Sequence, residues 1–157
     1  MWMNVTGRRW LLEVLYLLGT GIVALLVMLP IIESGIDFPW LIYNSVFLVG
    51  ALTLVRYIFY FDRHPLARSK VFKILMICSI PILFFPIIEG LHSFIEFNDR
   101  EGIASLLGHL NYSKQDSYSR YIRVEYLLAG VTCFIGSFAL IIKMIRSLWR
   151  QVKYGQV

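Results

Sequence analysis

Four long apolar stretches run through this chain at roughly 10–32, 40–61, 71–94 and 121–142, and clusters of charged and turn-forming residues separate them. Each stretch is about as long as the 20 helical residues needed to cross a hydrocarbon core. The pattern therefore predicts an all-α integral membrane protein, a four-helix bundle making one membrane domain over residues 1–157. The first stretch follows Arg8 and Arg9, as the core of a signal peptide would. It is long for that role, carries Glu13 and ends at LPIIESG without a small-x-small cleavage site, so it is read as a permanent span.

The connections on the two sides differ. The short turn ESGIDFP links the first pair of spans, whereas the last pair is joined by the long segment 96–120. Within it, Asn98 and Glu101 are spaced like a capping box, and Ile103, Leu106, Leu107 and Leu110 repeat at i, i+3, i+4 and i+7. A short amphipathic helix over about 99–111, lying on the membrane or on the bundle, is expected there. Small residues mark a seam where backbones can approach: Gly19, Thr20, Gly21 and Ala24 in the first span, and Ala129, Thr132, Gly136 and Ala139 in the fourth. Carried along the fourth span, that stripe takes in Glu125 and Lys143. In the third span Pro81 and Pro86 remove backbone donors and predict a bend before Glu89.

Composition strengthens this picture. Hydrophobic residues make up 58% of the chain and charged residues 16%, against about 25% charged in soluble domains. The mean hydropathy is +0.68. Of the 15 basic residues, Arg100, Lys114, Arg120 and Arg123 fall on the side of the long loop. The remainder, including Arg8, Arg9, Arg63 and Arg68, fall with the termini. The positive-inside rule then predicts both termini in the cytoplasm. A pI near 9.4 is thus a topology signal, and no nucleic-acid partner is expected. Lys143, Arg146, Arg150 and Lys153 form a basic stripe continuing the fourth helix, suited to anionic lipid headgroups. The expected location is a bacterial inner (cytoplasmic) membrane. Cys78 and Cys133 both lie within spans, so no disulfide framework is available, and the outer loops lack the cysteines that tetraspanin-like, claudin-like and quinone-reductase four-span proteins place there.

The candidate chemistry lies in FFPIIEGLHSFIEF, residues 84–97, where Glu89, His92, Ser93 and Glu96 share one helical stripe. Counting along each span puts Asn44, Glu89 and Glu125 at similar depth, with His92, Arg120 and Arg123 just above. Charges at that depth are costly against lipid and should turn inward. A structural polar layer is predicted, with Arg123 pairing with Glu89 and with Glu125 held by Asn44 and His92. On the inner side, Glu13 and Arg56 fall at matching depth and are predicted to form an ion pair. A metal reading uses Glu89, His92, Glu125 and His109 around one ion. The E-x-x-H step of Glu89 and His92 is half of what a carboxylate-bridged di-iron site uses. Haem between His92 and His109 is a weaker variant. No catalytic residue is assigned and no cofactor is expected. Three functions fit: an accessory or assembly subunit of a larger membrane complex, with other membrane subunits or a second copy as partner; a metal- or haem-binding redox protein; and a cation- or proton-coupled transporter component.

Overall fold

The four apolar stretches form four α-helices in a computed structural model that describes residues 5–61 and 69–154: α1 (Val5–Glu33), α2 (Leu41–Tyr60), α3 (Lys70–Arg100) and α4 (Tyr112–Tyr154). All four are long and apolar enough to cross a membrane. The protein is accordingly a polytopic integral membrane protein. Asp62, Arg63, His64 and Arg68 lie outside the described residues, and so do the side chains of Arg8 and Arg9.

Local chemistry sets the helix ends. α1 stops where Gly35 takes a positive φ of 68°, its N–H bonding back to the Ile32 carbonyl. Ser69 caps α3 by accepting the Phe72 N–H at 3.2 Å. α3 continues through Pro81 and Pro86 and ends at Gly102, whose φ is 74°. That glycine also reshapes the long loop. In place of an α-helix over 99–111, α3 runs to Arg100 and the chain then makes a five-residue 3₁₀ helix, Ile103–Leu107. The predicted apolar face survives the change, since Ile103 and Leu107 are fully buried against the bundle. Gln115 fastens the segment from α4 by donating to the Ala104 carbonyl at 2.6 Å.

α4 is the hub. It has 43 residues and is therefore about 64 Å long at 1.5 Å per residue, twice the hydrocarbon thickness of about 30 Å. α2 and α3 both pack on it and scarcely touch each other, while α1 rests mainly on α2. Of the stripe predicted on α4, Ala129 and Gly136 are buried and Thr132 and Ala139 half-buried, Gly130 outside that set is buried as well, and a Cβ on Gly136 would sit 3.3 Å from Leu54 Cβ. Those of α1 are more exposed. Nothing lies within 4 Å of a Cβ built on Gly19 or Gly21, and Ala24 alone of that set is in the core. The reason is that α1 packs on one side only, through Ala24, Met28 and Ile31, and leaves the rest of its circumference facing outward.

The core has two parts. Toward the long-loop end, Phe94 stacks on Tyr126 with ring centroids 4.1 Å apart, and Phe38 meets both edge-on. Phe61, Ile80, Leu140 and Met144 make the part toward the opposite end.

Candidate functional site

Beneath the 3₁₀ helix of the long loop, α2 and α4 bring one amide and one carboxyl together. Asn44 Nδ2 donates to Glu125 Oε2 at 2.8 Å, with Asn44 0% exposed and Glu125 8%. Phe47, about one turn along α2 from Asn44, and Tyr126, next to Glu125 in the chain, are also buried, with ring centroids 5.3 Å apart. Two atoms of the pair, Asn44 Oδ1 and Glu125 Oε1, are buried without a hydrogen-bond partner among the described residues. The nearby hydroxyls are occupied elsewhere: Tyr126 Oη donates to the Gly90 carbonyl at 2.9 Å and Tyr121 Oη to the Val27 carbonyl at 2.6 Å.

The other residues expected in this layer are placed differently. Glu89, His92 and Arg123 are exposed on the outside of the bundle, and among the described residues they make no hydrogen bond or ion pair. The predicted Arg123–Glu89 pair is therefore not formed. Two residues along a helix is a turn of about 200°, so burying Glu125 aims Arg123 outward. α3 likewise buries Ile87, Gly90 and Phe94, which puts Glu89, His92 and Glu96 on its opposite face. Arg120 bonds Asp116 one turn back on its own helix at 3.1 Å, and Glu96 pairs with Arg100 in the same way at 2.7 Å. Ser93 is the member of the stripe that reaches another helix, accepting the Trp40 indole N–H at 2.6 Å. His109 Nε2 lies 2.9 Å from the Ser34 carbonyl, tying the long loop to the end of α1. The set proposed for a metal is thus dispersed, and among the described residues no three His, Cys, Asp or Glu side chains converge.

The end of the bundle opposite the long loop contains three interhelical locks. Arg56 Nη2 bonds Glu13 Oε2 between α2 and α1, and the guanidinium also covers the Tyr16 ring at 4.5 Å. Lys143 Nζ donates to the Ile58 carbonyl at 2.6 Å, so this member of the basic stripe is engaged by α2. Lys73, almost fully buried, donates to Gln151 Oε1 at 3.0 Å. Sequence reasoning missed the Lys73–Gln151 contact. Depth counting from the inner end, as used for Glu13 and Arg56, was the available signal. Arg146 and Arg150 stay exposed and flank Trp149 on the far side of α4.

Fold and site together define a four-span membrane protein in which Asn44 pairs with Glu125 and Lys73 with Gln151 between buried helix faces. Comparison with family models, curated protein sequences and solved structures finds no match to the chain, so its function is read from its own geometry.

Proposed function

We propose that the protein is an accessory or assembly subunit of a larger membrane complex. The observation that carries this reading is a groove of about 540 Å³ between α2 and α3, floored by α4. Val46, Gly50 and Leu54 line one wall, Ile80 and Leu83 the other, and Cys133 and Ser137 the floor. Its lining is almost wholly apolar and lies along the membrane-embedded length, and the small residues Gly50, Ser79 and Ser137 permit close approach. The occupant is a transmembrane helix of a partner subunit, whose side chains enter the groove as knobs. α1, by contrast, offers a convex face suited to lipid. In this reading the protein sits in a bacterial inner membrane with both termini in the cytoplasm, and Arg146, Trp149 and Arg150 rest among anionic headgroups.

Two measurements test this. A photoreactive residue at Val46 or Leu83 should give one protein adduct of discrete mass in native membranes, matching a stoichiometric partner in native mass spectrometry after gentle extraction. The same residue at Leu25 of α1 should give lipid adducts. Lipid adducts from all three positions would remove the basis for the reading. For orientation, a cysteine at Ser147 should be silent to an impermeant thiol reagent in intact cells and one at Ser105 labelled. The reverse pattern would invert the proposed topology.

A further inference from the structure

The buried pair of α2 and α4 carries two orphan atoms, Asn44 Oδ1 and Glu125 Oε1, and both belong to groups already joined by one hydrogen bond. With Glu125 ionised, each orphan is an acceptor with no donor among the described residues, and a negative charge lies inside an apolar layer where an uncompensated ion is costly. No ion pair reaches it among the described residues: Arg123 points away and Arg120 is held by Asp116. The titratable groups beside it are the phenols of Tyr121 and Tyr126 on its own helix, and both are spent on the Val27 and Gly90 carbonyls of α1 and α3. From α2 it meets the Asn44 amide, and the 3₁₀ helix above contributes the apolar Ile103 and Leu107.

One proton resolves all of this. We propose that Glu125 is a proton-binding site within the membrane, carrying on Oε1 a proton that it donates to Asn44 Oδ1. Together with the Asn44 Nδ2 bond to Oε2, this closes a two-bond acid–amide ring between α2 and α4. Binding forms one O–H bond from an aqueous proton and neutralises one charge. Release reopens the ring to a single bond and restores the buried charge, so proton occupancy sets how firmly α2 is held to α4. A metal ion fits the two oxygens poorly, because hard cations take about six oxygen ligands and, among the described residues, the site adds no second carboxyl, histidine or thiolate to Glu125.

The test uses the full chain in detergent micelles or nanodiscs. Infrared spectra at neutral pH should show a protonated-carboxyl C=O stretch that shifts on H/D exchange and is missing from Glu125→Gln. Glutamine retains a two-bond ring with Asn44 but has no proton to lose. With one more proton bound in the folded state than in the unfolded, the folding equilibrium of the wild type, taken relative to Glu125→Gln, should fall about tenfold per pH unit once the pH exceeds the ordinary glutamate value of about 4.3, and level off where the folded state releases its proton. A wild type without the band, or a wild type and variant with parallel pH dependence, would overturn the proposal. So would a band that disappears, with a gain in stability, on adding sodium or a divalent ion, since a cation would then occupy the oxygens. Should Glu125→Gln not fold, the wild type decides alone: a band that titrates away together with the exposed carboxyls counts against the site.

Discussion

Asn44→Leu should destabilise the bundle by roughly 3 kcal/mol, measured by denaturant unfolding in mixed micelles. The substitution suits helix and bilayer, and the loss comes from its partner. Glu125 would lose its one protein hydrogen bond while remaining 8% exposed between α2 and α4. Stranding one member of a buried polar pair costs more than removing both. The double variant Asn44→Leu with Glu125→Leu should therefore recover most of the loss. Single-variant losses that simply add in the double variant would show that the two side chains are energetically independent.

Gly90→Leu should have a comparable or larger effect, through packing. At Gly90, α3 lies directly against α2 side chains: a Cβ there would lie 2.8 Å from Tyr43 Cδ1 and 2.9 Å from Phe47 Cζ. Phe47 is 1% exposed, and its ring packs on Tyr126 at 5.3 Å, so it has little room to yield. Tyr126 in turn donates to the Gly90 carbonyl. Overpacking a filled core costs about 1–3 kcal/mol for a small addition, and leucine adds much more than a methyl group. Gly19→Ala is the control. Nothing lies within 4 Å of a Cβ at Gly19, and alanine in a helix interior is favoured over glycine by about 0.5–1 kcal/mol, so thermal unfolding of that variant should be unchanged or shifted slightly upward. Equal losses at Gly90 and Gly19 would contradict the packing described.

The divide between what was legible in the sequence and what was not follows from what a linear pattern can encode. The length of an apolar run is set by the cost of exposing backbone and charge to hydrocarbon, so the four helices and their approximate ends could be read directly. Depth along the membrane normal could be read as well, because rise per residue is constant. This is why Glu13 was matched with Arg56 and Asn44 with Glu125, and both contacts are present in the fold. Rotation of each helix about its axis is another matter, since it depends on which side chains fill the space beside a neighbour. Ile87, Gly90 and Phe94 fill the space against α2 and α4, so the acidic stripe of α3 turns outward, Glu89 and His92 leave the polar layer, and Ser93 at its edge meets Trp40. The same rotation rule makes α4 bury Glu125 and expose Arg123 two residues earlier. In the long loop, the apolar spacing of Ile103 and Leu107 was legible. The choice of a 3₁₀ turn follows the positive φ of Gly102, which breaks the helical path between α3 and Ile103.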